Sequence, residues 1–521
     1  MNDSDLNADT LPSRIAALVH SHFDGLPKRS KPVFRDDGTA EWIPMTGIVL
    51  VKGENTPSET LTCVAVTTGA KCLPASQIPN CKGLVLHDCH AEILAMRAFN
   101  FWLLSECHSL LAQENHSTRD RDAPVSLSPY IRRRQQHPQW KSATTPPFEL
   151  HPDIKIYMYC TCAPCGDASM ELTMAAQDDP TPWSVPAPNP SASDLATSTE
   201  SQLLDGRGHF SKLGIVRRKP ARADAESTKS KSCSDKIALR QVSGLLSYET
   251  SLLVVPTGNA YIAGLVLPKE EISRVGCARC FGEEGRMKDL KGRVWSVSDQ
   301  TRTGDGSQYC YEFRPFEILS IPTEQLKTLW PFRKPKSSDP VPEGQLSKAA
   351  TMKKSKPGTI SAVWVRASTP IPERVDQPPS TVIADNGAKT LPVLQGSKTG
   401  LFENLINGVR QGHKASSVGV RGASALSRAK LWSYYKEIVM SSSLLSGNFT
   451  DEGGETDAKA VSLLQASTYR EFKESGVLTE CIRERKSALQ SAKEVLEGWV
   501  PNSGDEDWGL DVLVDSKKRK R

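Results

Sequence analysis

No uninterrupted apolar run in the 521-residue chain approaches the ~20 residues that a helix needs to cross a bilayer, so a membrane-spanning helix is excluded. Aromatic residues are scarce at 6%, and hydrophobic residues reach only 38%, while proline and glycine number 35 each. That balance argues against a uniformly dense globule and predicts a real core diluted by exposed insertions. The opening residues, Met1-Asn2-Asp3-Ser4-Asp5, have neither a basic nor an apolar stretch, so no secretory signal is expected. The thirteen cysteines are odd in number and irregularly spaced. Disulfide pairing is therefore not expected, and the thiols belong to a reducing compartment, nucleus and/or cytoplasm, either free or on metal. An excess of one charge is also lacking: 65 basic against 60 acidic residues leave +5, too little to signal nucleic acid unaided. The basic run Lys517-Lys518-Arg519-Lys520-Arg521 reads equally as a localisation or phosphate-binding tail and as a solvated end.

What the chain does contain is an alternation of strand and helix patterns. A polar segment and a helix over Leu11–His22 occupy residues 1–30. Ile48–Val51, Leu61–Val66, Leu84–Leu86 and Ile154–Tyr159 read as strands. Leu94, Ala98, Phe101 and Leu104 recur at helical spacing from Ala91 to about Leu111, and a helix is expected to start at Cys165 and run to about Ala176. Another helix follows Cys233, and two more patterns cover about 423–440 and 460–496, the second interrupted near Gly476. Stretches near 113–147, 178–230 and 334–358 lack periodicity and read as mobile insertions. The expectation is one α/β layered unit over 31–510 without an internal repeat, and a basic tail over 511–521.

Three short segments carry the chemistry: His90-Ala91-Glu92, Pro164-Cys165-Gly166-Asp167 and Ser232-Cys233-Ser234-Asp235-Lys236. One imidazole and two thiolates suit zinc with a fourth position left to water. A carboxylate two residues from the imidazole suits a proton shuttle. Together they are the apparatus for hydrolytic removal of an exocyclic amine from a nucleobase. The common zinc-deaminase pattern Pro-Cys-x-x-Cys fails here, because Ala168 stands at its second cysteine. Cys162 and Cys233 are the candidates for the third ligand, Cys233 the stronger. A structural Cys₄ site from Cys162, Cys165, Cys277 and Cys280 is the competing reading, and it leaves His90, Glu92 and the 232–236 segment unexplained.

Thr68-Gly69-Ala70-Lys71-Cys72, His87-Asp88-Cys89-His90-Ala91-Glu92-Ile93, Pro164–Ala168 and Ser232–Ala238 resemble the blocks of the RNA-editing adenosine deaminases, over most of residues 40–510. The resemblance implies a cytidine-deaminase-like three-layer α/β core with an added helical C-terminal part. It implies zinc on His90, Cys165 and Cys233, with Glu92 as the catalytic shuttle. It further implies a buried inositol hexakisphosphate held by Arg97, Lys236, Arg428, Tyr469, Lys473 and Trp499, with Asp507 beyond, and Asp88 linking that polyanion to the zinc site. The chain departs from the pattern at Met96 and Leu239, where arginines are expected, and at Pro501-Asn502, where an acidic residue and a lysine are usual.

The deaminase pattern begins near residue 40, which leaves no room before it for a separate double-stranded-RNA-binding domain. The resemblance therefore implies the tRNA-acting branch: adenosine to inosine at position 37 beside the anticodon, with alanine tRNA the expected substrate. An anticodon loop presents bases already partly unstacked, which lowers the cost of flipping one out. Lys71 and the run Arg132-Arg133-Arg134 are the candidate phosphate contacts, the run reading more readily as solvated charge. No obligate protein partner is implied. The alternatives are deamination of another RNA adenosine, in mRNA or double-stranded RNA, a cytidine or free-nucleoside deaminase, and a non-catalytic RNA-binding relative.

Overall fold

The computed structural model describes residues 10–35, 40–117, 128–134, 146–176, 181, 204–206, 209–219, 226–296, 310–334, 355–368, 400–441, 464–475 and 479–513. Its centre is an eight-stranded mixed sheet. In chain order the strands are β1 (Met45–Lys52), β2 (Thr60–Thr68), β5 (Ile154–Cys160), β6 (Ile262–Pro268), β7 (Glu317–Ile321), β8 (Ser361–Arg366), β9 (Gly400–Ile406) and β10 (Val409–Arg410). A separate short pair, β3 (Ala70–Cys72) and β4 (Asp88–His90), lies between β2 and the first long core helix. Across the sheet the order is β7-β6-β5-β1-β2-β8-β9-β10. The pairs β7/β6 and β6/β5 are parallel, and the rest are antiparallel.

Both faces of the sheet are covered, which is why its central strands read as nearly continuous apolar runs. Ile48 and Leu50 of β1 point to one face and Val49 and Val51 to the other, as the two-residue period requires. Helix α1 (Leu11–Asp24) brings Ile15, Val19 and Phe23 to the second face, where Trp330 and Trp364 complete the layer. Helix α2 (Ala91–Ser117) fills the first face with Leu94, Ala98, Phe99, Trp102 and Leu103. Together with Ala95, Met96, Phe101 and Leu104, which are also buried, they surround the helix rather than forming one stripe, the pattern of a helix buried all round. The result is an α/β/α layering. Helix α3 (Cys233–Ser243) packs beside α2 and α4 (Arg274–Phe281) beside α3, and α5 (Arg428–Ser441), α6 (Tyr469–Ser475) and α7 (Glu480–Val495) form the helical C-terminal part.

Four expectations change. Leu84–Leu86 is not a strand: Leu86 instead donates its N–H to Gly408 O (2.9 Å), and the strand starts at Asp88. Cys165 does not open a helix, because a 3₁₀ turn (Asp167–Ser169) and a short helix (Met170–Ala175) follow it. The stretch 178–230 is not one mobile insertion, since Arg217 and Lys219 are buried and residues 226–230 are packed against their surroundings. The arginine run is not a free cationic surface, since Arg132 pairs with Glu149 (2.7 Å) and Arg134 is buried. The tail 514–521 lies outside the described residues.

Candidate active site

The positions of the three motifs follow from how each segment is anchored. His90 ends β4, and α2 begins at the next residue, so Glu92 falls in the first helical turn, one step inward from the imidazole. Cys165 sits on a tight turn that requires Gly166: its φ is 113°, and a Cβ there would lie 2.2 Å from Ser232 Oγ. Cys233 opens α3 directly after Ser232, whose hydroxyl caps the helix by accepting from Asp235 N (3.1 Å). That hydroxyl also donates to Asp235 Oδ2 (2.6 Å), and Arg286 holds the other carboxylate oxygen at 2.6 Å. Ser234 Oγ donates to Pro164 O (3.1 Å) and accepts from Ala168 N (3.3 Å), which ties the two cysteine segments together. Each residue of Ser232-Cys233-Ser234-Asp235 thus has a definite task.

The side chains converge. His90 Nδ1 lies 3.8 Å from Cys165 Sγ and 3.6 Å from Cys233 Sγ. A tetrahedral ion with Zn–N and Zn–S bonds of about 2.05 and 2.3 Å would separate nitrogen and sulfur by about 3.6 Å, so this triangle fits zinc. Among the described residues, Cys162, Cys277 and Cys280 join no group of potential metal ligands, so the Cys₄ alternative has no geometry behind it. Cys72, Asp88 and His90 form a second, overlapping group. Asp88, however, is already bridged by Lys219 and Lys236, which repel a cation.

Glu92 is buried, and its Oε2 has no hydrogen-bond partner. Burial raises its pKa, and the neighbouring Cys165 thiolate adds to that effect against His90. Cys165 is held well below the ordinary thiol range, chiefly by its hydrogen bond with Cys233 and then, against burial, by Lys219 and His90. The helix N-terminus expected to stabilise that thiolate belongs instead to Cys233.

Lys219 is the functional residue that sequence reasoning missed. Its buried ammonium donates to both oxygens of Asp88 (3.1 and 2.8 Å) and to Cys233 Sγ (3.3 Å). Asp88 also accepts from Lys236 (2.5 Å) and from His90 N (3.0 Å). Burial alone would raise the Asp88 carboxyl, but Lys219 and Lys236 hold it well below the usual carboxylate range. Asp88 thereby joins one ligand segment to another through charge.

Residues 65–280 match the adenosine-deaminase (editase) domain family. A tRNA-specific adenosine deaminase 1 from Schizosaccharomyces pombe is 28% identical over 495 residues, which are 94% of this chain and 95% of the relative. One from Saccharomyces cerevisiae is 29% identical, over 46% of this chain and 54% of the relative. A double-stranded RNA-specific editase B2 from Mus musculus is 32% identical over 24% of this chain and 14% of the relative.

Behind the editase site lies a second group of predicted residues. Arg97 Nη1 donates to Leu426 O (2.8 Å), and Arg428 Nη1 donates to Asp505 O (2.7 Å). Tyr469 OH donates to Glu249 (2.8 Å). Lys473 Nζ lies 5.6 and 5.9 Å from the ring centres of Tyr248 and Tyr469. Lys236 reaches the group's edge from Asp88, and Trp499 is half-buried under Lys231, 5.8 Å away. Asp507 does not join them. It is exposed and paired with Arg470, and the carboxylate that turns inward is Asp505, against His87 (2.9 Å) and Gly83 N (2.8 Å). Lys71 is half-buried in β3, opposite Cys89.

Proposed function

We propose that the chain hydrolyses adenosine to inosine and ammonia in tRNA, with zinc on His90, Cys165 and Cys233, at position 37 beside the anticodon of alanine tRNA. The observation that carries the reading is the buried, unpartnered Glu92 oxygen beside a His/Cys/Cys triangle of zinc dimensions. When bound, zinc lowers the pKa of its water towards ~7 and supplies the nucleophile. With the metal in place, Glu92 would carry one proton from the attacking water to the ring nitrogen and then a second, from the hydroxyl added to the ring carbon, to the amine, which leaves as ammonia; the role is open to it because it is not a metal ligand. Lys219 and the Cys233 N–H spread the charge of the two thiolates. The partly exposed His90 and Cys165 leave the site a path from solvent for a base flipped out of a loop. The tRNA assignment is supported by the yeast relatives, which are named tRNA-specific adenosine deaminases, above all the S. pombe protein matched along nearly its whole length.

Inositol hexakisphosphate fits the second group. Burial first, and then Arg428, lowers the Arg97 pKa, and the same causes bring Lys473 down to about 8. Cations that repel one another in the interior call for a buried polyanion. Arg97, Lys236, Arg428, Tyr469, Lys473 and Trp499 are its proposed ligands, without Asp507.

The test is direct. Zinc-loaded chain is incubated with folded alanine tRNA, a mixture of other tRNAs, a perfect RNA duplex and free adenosine, and inosine is mapped by sequencing. Inosine at position 37 of alanine tRNA supports the assignment. Conversion of the duplex instead would move the chain to another RNA adenosine.

A further inference from the structure

Two cations that the family resemblance does not supply, Arg240 and Lys231, stand beside places where this chain lacks expected ones, and a third, Arg485, lies close enough to Arg240 to oppose its charge. Leu239 is a leucine where an arginine is expected, and Arg240 is the next residue along α3. Its Nη1 donates to Ser243 Oγ (3.2 Å), while its Nε is enclosed without a partner. Arg485 of α7 is buried, donates to Leu246 O (2.9 Å), and has an Nε in the same condition. Asn502 stands where a lysine is usual, and Lys231 reaches it: its Nζ donates to Asn502 Oδ1 while lying over the Trp499 ring. Lys231 is itself buried.

Among the described residues, none of these three has a carboxylate within ion-pair distance. They are surrounded by further positive charge. Besides burial, Arg485 and Arg97 oppose the charge on Arg240, and Lys236, Arg218 and Lys493 oppose that on Lys231, with Asp235 the counterweight. The inward carboxylate Glu249 is occupied by Tyr469 and Ser247. A buried guanidinium that directs an unused N–H into a crowd of like charges is costly unless an acceptor of high negative charge receives it. Several phosphate groups on one small ring supply such acceptors, and guanidinium forks match them.

We propose that Lys231, Arg240 and Arg485 are direct ligands of the core polyphosphate in this chain, restoring from new positions the cations absent at Met96, Leu239 and Asn502. The proposal rests on the reading that this cationic group holds an inositol polyphosphate. Lys231 joins the polyphosphate to the Trp499 segment, Arg240 to α3 and so to Cys233, and Arg485 to α7. One bound molecule thereby ties the C-terminal helices to the helix that carries a metal ligand.

The experiment is calorimetric titration of inositol hexakisphosphate into full-length chain stripped of bound anions, alongside native mass spectrometry of the chain as purified. Lys231→Gln, Arg240→Lys and Arg485→Lys are compared with wild type and with Arg132→Gln, whose arginine pairs with Glu149 elsewhere. The arginine changes keep charge and length and remove only the fork, so they are the variants most able to fold. Each of the three should weaken binding about tenfold or more while Arg132→Gln leaves it unchanged. If wild type binds and the three variants bind equally well, these residues are not ligands and the proposal is overturned. If wild type neither carries nor binds a polyphosphate, the reading of the cationic group as a polyphosphate site itself fails. If a variant does not fold, its thermal midpoint with and without the probe decides: rescue by excess inositol hexakisphosphate supports a ligand role, and absence of rescue contradicts it.

Discussion

Lys219 shows how much one side chain can contribute to this site. It has no motif around it, comes from a stretch rich in polar residues, and touches both a metal ligand and the carboxylate beside another. Lys219→Met should leave Cys233 without its charged neighbour and Asp88 with one cation rather than two. Outer-shell partners of this kind contribute on the order of 10–100-fold to metal affinity or turnover. Deamination is therefore expected to fall by about that factor, with weaker zinc retention against a chelator. Unchanged turnover and zinc retention would contradict the role. The convergence of His90, Cys165 and Cys233, by contrast, is legible from three short motifs because coordination chemistry limits which residue types can serve. Asp505 and Asp507 are both acidic and flank one turn, and only the packing of Asp505 against Gly83 N, His87 and Arg428, which no local pattern announces, separates them.

At the scale of elements, the turn at 164–167 and the start of α3 act as one unit, clamped by Ser234, whose N–H donates to Cys165 O and whose hydroxyl donates to Pro164 O. Gly166→Ala would place a methyl against Ser232 and force a non-glycine residue into positive φ, at a cost of roughly 1–3 kcal/mol locally. The expected result is a lower thermal midpoint and lower zinc occupancy together. Normal occupancy would mean that the two segments are not coupled. The strands of the sheet and the long helix α2 were readable from periodicity. The 209–219 segment was not, because its order comes from a few long-range contacts, such as Gly214 N to Asp167 and Arg217 N to Asp235, rather than from any local pattern. Lys231 gives a pH test of the cationic group. Burial and its cationic neighbours bring its folded pKa to about 7, below the unfolded lysine value of ~10.4. Between those values the unfolded chain binds more protons than the folded one, so stability rises with pH across that window. Denaturation midpoints of anion-stripped chain should therefore rise from pH 7.5 to 9.5, and Lys231→Met should flatten the rise. A slope identical in the two proteins would contradict that environment.

For the molecule as a whole, the α/β/α layers hold β4, the 164–167 turn and α3 at fixed separations, and the C-terminal helices close over the cations behind them. The layering was readable in outline from alternating strand and helix patterns. The enclosure of the cationic group was not, because it joins residues as far apart as Arg97 and Arg428. The central claim is that this frame positions Glu92 to move protons while His90, Cys165 and Cys233 hold the metal. The most direct measurement is inosine at position 37 of alanine tRNA, together with zinc content, for wild type and Glu92→Gln. The account predicts inosine from wild type, a loss of at least about 100-fold in Glu92→Gln, and equal zinc in both proteins. Deamination that survives the substitution with zinc unchanged would contradict it.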